Sequence, residues 1–155
     1  MLRITKESDY GITLLAAMAE RAPGEIHTAR ALADRAGLPL PMVSKILRSL
    51  ARANVVTSHR GVSGGYSLDR PARETSVAQV IRAIEGPISM VQCGIEPGVC
   101  DQEPLCPSRV GWARISREIE AALERIPVSE ICVAPQPRDP LRVLRAGIGA
   151  GERGR

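Results

Sequence analysis

The chain has few aromatic residues and no long apolar run. Phe is absent, and only one Trp and two Tyr occur among 155 residues. A membrane-spanning helix needs about 18 or more apolar residues in succession, and no stretch approaches that length. No apolar signal core follows the N-terminus, and no segment combines a nucleophile, a base and an orienting group. We therefore expect a cytoplasmic protein that has no membrane contact and is not an enzyme.

The composition and the uneven charge indicate a soluble protein that meets a polyanion. Hydrophobic residues make up 44% and charged residues 25% of the sequence, which is typical of a soluble domain. Residues 21–70 contain eight Lys or Arg and three acids, whereas residues 71–132 contain six and nine. A basic first half followed by an acidic middle favours nucleic acid as a partner, although solubility alone could also explain it.

Three helices are predicted in the first third of the chain. Apolar residues recur at helical spacing over 6–20. Thr28 is a good N-cap for a short second helix, and Gly37 is suited to end it. A third helix begins near Pro41. Its inner face carries apolar residues at positions i, i+3, i+4 and i+7, namely Val43, Ile46, Leu47 and Leu50.

The second and third helices together predict a helix-turn-helix, whose second helix reads the major groove of DNA. The outer face of the third helix carries short polar or cationic side chains, namely Ser44, Lys45, Arg48 and Arg52. The alternative is that these side chains only solvate the helix. We predict DNA contacts from this face and from the starts of the two helices, at Thr28 and Pro41.

A glycine-rich hairpin follows the third helix and favours DNA binding over that alternative. Two short strands are predicted at 55–59 and 66–68. Glycines at the tip let the backbone and a guanidinium approach a phosphate or enter a minor groove. We interpret the hairpin as a wing with DNA contacts at His59, Arg60 and Gly61. His59 has no second ligand near it in the sequence, so we do not expect it to bind a metal.

A long helix near the C-terminus predicts a dimer. Residues 108–125 carry an apolar stripe that continues to the residue after the helix: Trp112, Ile115, Ile119, Ala122, Leu123 and Ile126. Such a stripe needs a partner surface, and a second copy of the chain is the simplest one. The alternative is that the stripe packs only on its own domain.

These elements define the predicted organisation of the chain. A fourth helix, capped by Ser76, completes a DNA-binding domain at residues 1–86. A cysteine loop at 87–107 and the dimerisation helix with a short C-terminal helix at 108–132 follow it. Residues 133–155 are rich in Pro, Gly and Arg and are predicted to be disordered. The fold class is mainly α with a small β-hairpin wing: a winged helix-turn-helix plus a long dimerisation helix.

Three of the four cysteines lie in one loop: Cys93, Cys100 and Cys106. Proline and glycine interrupt this stretch, so it is neither a regular helix nor a central strand. In a reducing compartment these cysteines are more suited to a ligand or redox role than to disulfides. Three thiols on one loop suit zinc or an iron–sulfur cluster. Cys132, at the edge of the tail, is interpreted as a bystander.

The cysteine spacing does not identify the metal. C-x6-C-x5-C is wider than most structural zinc motifs and differs from the motif of bacterial ferredoxins. No basic residue lies between the three thiols, so a thiolate there is expected to depend on a bound cation. A metal-free thiol switch and structural coincidence remain as alternatives. Arg109 cannot ligate, and the candidates for a fourth ligand are acids: Asp9, Glu96, Asp101 and Glu103.

Four motifs together carry a family resemblance. They are Arg3-Ile4-Thr5-Lys6 with Asp9-Tyr10, the turn Gly37-Leu38-Pro39, the wing His59-Arg60-Gly61 with Gly64-Gly65-Tyr66, and the three-cysteine loop. They resemble the IscR and NsrR group of winged-helix repressors, also called the Rrf-two family, over residues 1 to about 131. The chain is most similar to the branch that regulates the Suf iron–sulfur assembly operon.

The resemblance implies a homodimeric repressor that binds an operator in double-stranded DNA. It implies one iron–sulfur cluster per subunit, held by Cys93, Cys100 and Cys106, with a 2Fe–2S cluster favoured over 4Fe–4S. In the IscR type the fourth ligand is a histidine three residues after the last cysteine, where this chain has Arg109. In the NsrR type an aspartate at the position of Asp9 comes from the partner subunit, so Asp9 is the expected fourth ligand. An iron–sulfur carrier or scaffold and a zinc-stabilised regulator are the rival interpretations.

Overall fold

A computed structural model describes residues 4–22, 24–62, 64–96 and 98–131. The predicted disordered tail and Cys132 lie outside the described residues. The helices and strands, in chain order, are α1 (Lys6–Ala19), α2 (Ala29–Ala36), α3 (Leu40–Arg52), β1 (Val56–His59), β2 (Gly65–Leu68), α4 (Val77–Glu85), α5 (Arg109–Glu124) and α6 (Val128–Ile131). Short 3-10 turns occur at Ala72–Glu74, Gln92–Gly94 and Glu103–Leu105. The predicted fold class, mainly α with a small hairpin, is confirmed. The boundaries proposed at residues 86, 107 and 132 stay predictions.

The ends of α2 follow the local signals in the sequence. The Thr28 hydroxyl accepts the Ala31 N–H at 3.1 Å, as an N-cap does. Gly37 ends the helix in the left-handed conformation, with φ of 65°. Helix α3 begins one residue before the predicted position, because Pro39 is extended and serves as its N-cap. Pro41 therefore lies inside the first turn, where its missing N–H costs nothing.

The core lies where α1, α3 and α4 meet. The four predicted inner residues of α3 are all at most 1% exposed, which confirms the helical pattern. Leu14 and Leu15 of α1 and Val80 of α4 are fully buried against them. Burying a side chain of this size contributes about 1.5–3 kcal/mol, so this contact fixes α3 from behind and leaves its outer face free.

The wing is a two-stranded antiparallel hairpin that packs beside α3. Its register runs from Val56 opposite Leu68 to His59 opposite Gly65. The backbone of Tyr66 also exchanges two hydrogen bonds with His27, each 2.8 Å long. This bridge ties the wing to the segment before α2, which the sequence reading did not foresee.

Helix α5 is joined to α4 by polar contacts at the start and middle of α4. Ser76 and Gln79 form a capping box, and the Ser76 hydroxyl also donates to Glu124 of α5. Arg82 donates to Glu120 at 2.5 Å and to Glu124. The hydrogen bond from Ser76 is the largest single cause that lowers the pKa of Glu124 below that of an ordinary glutamate, and the hydrogen bond and charge of Arg82 act in the same direction.

The apolar stripe of α5 is only half covered. Leu123 and Ile126 at its C-terminal end pack against the core, as the alternative reading expected. Trp112 and Ile115 at its N-terminal end are 39% and 44% exposed, and only Ser116 of the helix is buried. No helix in the described part of the chain is long and apolar enough to cross a membrane.

Replacing Ser76 by alanine should destabilise the fold, because it removes both the cap of α4 and a hydrogen bond to α5. We expect the free energy of unfolding to fall by about 1–3 kcal/mol, measured by urea denaturation at one protein concentration. Ser129→Ala is the matched control, since Ser129 is exposed and makes no side-chain hydrogen bond within the described residues. Equal stability of the two variants would contradict a stabilising role for the cap.

Candidate functional site

A basic groove separates α3 from the wing. It has a volume of about 520 Å³. Its lining comprises Lys45, Arg48, Ala51, Arg52, Ser58 and Tyr66. Three of these six side chains are cationic and none is acidic, so the groove attracts a polyanion. The predicted outer face of α3 thus forms one wall of a concave, positive surface.

The cations of α3 are held in different ways. Arg48 donates to the Ser44 carbonyl oxygen at 3.1 Å, and Arg52 donates to the Ser49 hydroxyl at 3.2 Å. Both guanidinium groups remain exposed and keep donors for a ligand. Lys45 instead forms an ion pair with Glu7 of α1 at 2.7 Å. The outer face of α3 has no acid of its own, and the acid that pairs with Lys45 comes from α1.

The wing presents its two faces differently. Ser58 and Tyr66 are cross-strand partners and share the face that lines the groove. His59 lies on the opposite face, because side chains alternate along a strand, and its Nε2 is 2.8 Å from the Ser67 hydroxyl. The predicted DNA contact of His59 therefore has less support than one from Ser58 or Tyr66. The period-two pattern of the strands is the signal that could have identified this pair.

The wing tip has the geometry expected for a phosphate or minor-groove contact. Arg60 and Gly61 are both exposed there. Gly61 has φ of 106°, which favours glycine, and a Cβ at Gly64 would lie 2.6 Å from the His59 carbonyl oxygen. The predicted DNA contacts at the starts of α2 and α3 have less support than those at the wing tip. Thr28 and Pro41 are exposed, but the Thr28 hydroxyl is already used by the helix cap.

In the described part of the cysteine loop, the regular structure consists of short 3-10 turns, as its Pro and Gly content predicted. Cys93 lies in the first turn and Cys106 follows the second, and both are partly buried, whereas Cys100 is exposed. Within the described residues, no three His, Cys, Asp or Glu side chains are grouped closely enough to hold a metal ion. The loop therefore offers three thiol donors that are accessible but not assembled in a single chain.

Glu103 is a structural part of the loop. It is only 8% exposed, and its Oε2 accepts the Gly98 N–H at 2.6 Å. Its Oε1 lies 3.1 Å from Nη2 of Arg109, the first residue of α5. Both carboxylate oxygens are thus engaged, so Glu103 is not free as a fourth ligand in this conformation. The other candidate acids of the loop, Glu96 and Asp101, are exposed.

Cys106 has a thiol that the protein itself favours as a thiolate. The hydrogen bond from Ser108, at 3.4 Å, lowers the pKa of Cys106, and the Arg109 backbone and charge act in the same direction. The sequence reading expected a bound cation to be the main source of thiolate stabilisation, because no base lies between the cysteines. Ser108 and Arg109, just beyond Cys106, supply part of it.

Cys93 faces a separate cleft between the loop and α5. This cleft has a volume of about 350 Å³ and includes Arg109, Ser116 and Arg117 in its walls. Asp9 lies elsewhere, in the exposed part of the first turn of α1. Within the described residues, Asp9 does not belong to any group of three potential metal ligands.

Comparisons with known proteins agree with this architecture. The sequence model of the family described as Rrf2, iron-dependent transcriptional regulator, matches residues 4–134. A protein of Rhodobacter capsulatus named as an rrf2-like HTH-type transcriptional regulator is 30% identical over 142 residues, covering 86% of this chain and 95% of that protein.

Two solved structures share the fold. CymR of B. subtilis, named the global cysteine regulator of that organism, superposes with a TM-score of 0.62 at 24% identity over 84% of this chain and 96% of its own. IscR of T. potens superposes with a TM-score of 0.59 at 22% identity over 99% of this chain and 94% of its own. Both likenesses concern the fold, a winged helix-turn-helix followed by a long helix. The family and its named members are transcriptional regulators and not enzymes. This chain therefore belongs to the Rrf2 family of winged-helix transcriptional regulators.

Proposed function

We propose that the protein is a homodimeric repressor that binds DNA through the α3–wing groove and senses iron–sulfur cluster status through the cysteine loop. The observation that carries the proposal is the position of the loop. Its three thiols lie between α4, which packs behind the DNA-reading helix, and α5, which exposes an apolar face. A change in the loop can therefore alter both elements. The proposed targets are iron–sulfur assembly (Suf) genes, and the proposed location is the cytoplasm, with the chromosome.

The donor set fits an iron–sulfur cluster by its chemistry. Cysteine thiolates are the usual cluster ligands, and Ser108 with Arg109 favours the thiolate of Cys106. Cys93, Cys100 and Cys106 would hold the cluster, with Asp9 of a second copy as the fourth ligand and a 2Fe–2S cluster favoured. A bound cluster would supply iron–thiolate bonds that tie the three loop positions together. An ordered loop would then restrict the positions of α4 and α5, which precede and follow it in the chain.

The dimer places two reading heads on one DNA molecule. The exposed N-terminal half of the α5 stripe, around Trp112 and Ile115, is the proposed contact between copies. Helix-turn-helix dimers read two half-sites whose separation matches the spacing of their recognition helices. Each α5 joins its own α4 through Arg82, so a shift of the loop would change the spacing of the two α3 helices.

In each head, the exposed α3 side chains and the wing tip would contact the operator. Ser44, Lys45, Arg48 and Arg52 would meet base edges or phosphates, Arg60 with Gly61 would enter the minor groove, and Thr28 and Pro41 would approach the backbone. Ser58 and Tyr66 join this set because they line the same groove. His59 stays a predicted contact, although its ring bonds Ser67.

Replacing Arg60 by alanine should weaken operator binding, because the wing tip loses its guanidinium. We expect a loss of about 1–3 kcal/mol in binding free energy and a shallower salt dependence, measured by fluorescence anisotropy at several salt concentrations. Arg73→Ala is the control, since Arg73 is exposed, pairs with Glu74 and does not line the groove. Unchanged affinity and salt dependence of the Arg60 variant would contradict the wing assignment.

Anaerobic purification should yield a coloured protein that contains iron and sulfide. Each of the variants Cys93→Ser, Cys100→Ser and Cys106→Ser should lose most of the visible absorption, because each removes one thiolate ligand. Cys132→Ser is the matched control and should keep both colour and iron. Asp9→Ala should alter the absorption spectrum if its carboxylate is the fourth ligand.

The same measurement separates the alternatives. A colourless protein that contains zinc would contradict the cluster. A metal-free protein whose DNA binding follows cysteine oxidation would favour a thiol switch, which the lowered pKa of Cys106 would support. Cluster transfer to an apo-ferredoxin without salt-dependent DNA binding would favour a carrier.

A further inference from the structure

The strongest unexplained contact lies at the edge of the basic groove. Lys45 is one of three cations that line the groove, and it is the only one of the three paired with an acid in the described residues. Its partner is Glu7, in the first turn of α1. The distance between Lys45 Nζ and Glu7 Oε1 is 2.7 Å, which makes a charge-assisted hydrogen bond. An acid therefore touches a surface that otherwise attracts phosphates.

Glu7 is held more firmly than Lys45. Its side chain is 32% exposed, against 60% for Lys45. The turn that carries Glu7 is anchored to the last residue of α4, Glu85, which accepts hydrogen bonds from the Thr5 N–H at 3.2 Å and the Thr5 hydroxyl at 2.9 Å. The Ser8 hydroxyl, which is fully buried, also donates to Glu85. The backbone that carries Glu7 is thus held in place, and the longer, more exposed side chain of Lys45 reaches toward Glu7.

The pair changes the electrostatics of the groove in two ways. Lys45 must break its ion pair with Glu7 before its ammonium group can neutralise a phosphate. The carboxylate left at the edge then repels the DNA backbone. Each phosphate neutralised by a free cation contributes about 0.9 to the slope of log K against log salt concentration. Glu7 should therefore remove about one unit of slope per reading head.

We propose that Glu7 is an affinity-setting residue that restrains Lys45 and limits the electrostatic part of DNA binding. Glu7 lies in the first turn of α1, which hydrogen bonds to Glu85 hold in place. The chain continues from Glu85 into the cysteine loop. Asp9, the proposed cluster ligand, lies on the same turn. If the loop senses a cluster as proposed above, displacement of this turn changes the distance between Glu7 and Lys45, and with it the affinity of the head.

The restraint is tested with Glu7→Gln in the full-length protein. The probe is a duplex of about 30 base pairs without an operator, because the electrostatic contribution does not depend on sequence. Fluorescence anisotropy at several salt concentrations should show binding that is tighter by on the order of fivefold at low salt. The salt slope should become steeper by about 0.9 per head. Glutamine keeps the size of the side chain and removes its charge.

Two controls separate the contact from a change in net charge. Glu25→Gln removes the same charge from an exposed ion pair with Arg21 that does not line the groove, and it should leave the slope unchanged. Glu7→Gln should have a clearly smaller effect in a Lys45→Ala background, because the restrained cation is then absent and only the repulsion between the Glu7 carboxylate and DNA is removed. An equal effect of both glutamine variants, or an undiminished effect without Lys45, would overturn the proposal.

The outcomes also distinguish this inference from the proposed function. Normal DNA binding by the unaltered protein, with an unchanged slope in Glu7→Gln, would overturn the restraint alone. Failure of the unaltered protein to bind DNA at any salt concentration would overturn the DNA-binding function and the restraint together. A protein that lacks the cluster but still shows the steeper slope in Glu7→Gln would support the restraint and contradict only the cluster part of the proposed function, because neither Glu7 nor Lys45 is a proposed cluster ligand.

Discussion

Helix α4, which is nine residues long, contacts three other helices, namely α1, α3 and α5. The apolar face of the helix is buried against α1 and α3, so it supports the recognition helix from behind. Its polar edge holds α5 through Arg82, which bonds two glutamates. Its last residue, Glu85, holds the first turn of α1. Helix α4 therefore connects the recognition helix and the start of α1 to the long helix α5.

The distribution of charge follows from these attachments. Three acids hold parts of the framework together: Glu85 accepts hydrogen bonds from Thr5 at the start of α1, Glu124 from Ser76 before α4, and Glu103 from Gly98 within the cysteine loop. Within the described residues, the arginines on the outer face of α3 have no acidic partner, and they line the groove. Lys45 is the exception because Glu7 reaches it from α1. Apart from Glu7, no acid of the described residues contacts the cations that line the groove, so the groove keeps its basic character.

Local signals predicted most of the fold, and long-range side-chain contacts were beyond them. The buried face of α3 followed from a repeat of four apolar residues, and the ends of α2 from Thr28 and Gly37, because each depends on neighbours within one or two helical turns. The basic outer face of α3 was predicted from the sequence of that helix, whereas the opposite wall of the groove, Ser58 with Tyr66, depends on the strand register. Glu7 and Lys45 are 38 positions apart, so no local pattern connects them. Their pairing depends on how α1 crosses α3.

The fourth cluster ligand also could not be identified from local sequence signals. Composition made every acid near the cysteines a candidate, but burial distinguishes them. Glu103 has both oxygens occupied, and Arg109 binds it at the position where the IscR type places a histidine. Release of Glu103 would break its ion pair with the exposed Arg109 and would leave the Gly98 N–H without its hydrogen bond. The Asp9 carboxylate has no such contacts within the described residues. It is exposed at the start of α1, so it is accessible to the cysteine loop of a second copy. Sensing by this loop would then depend on the dimer itself.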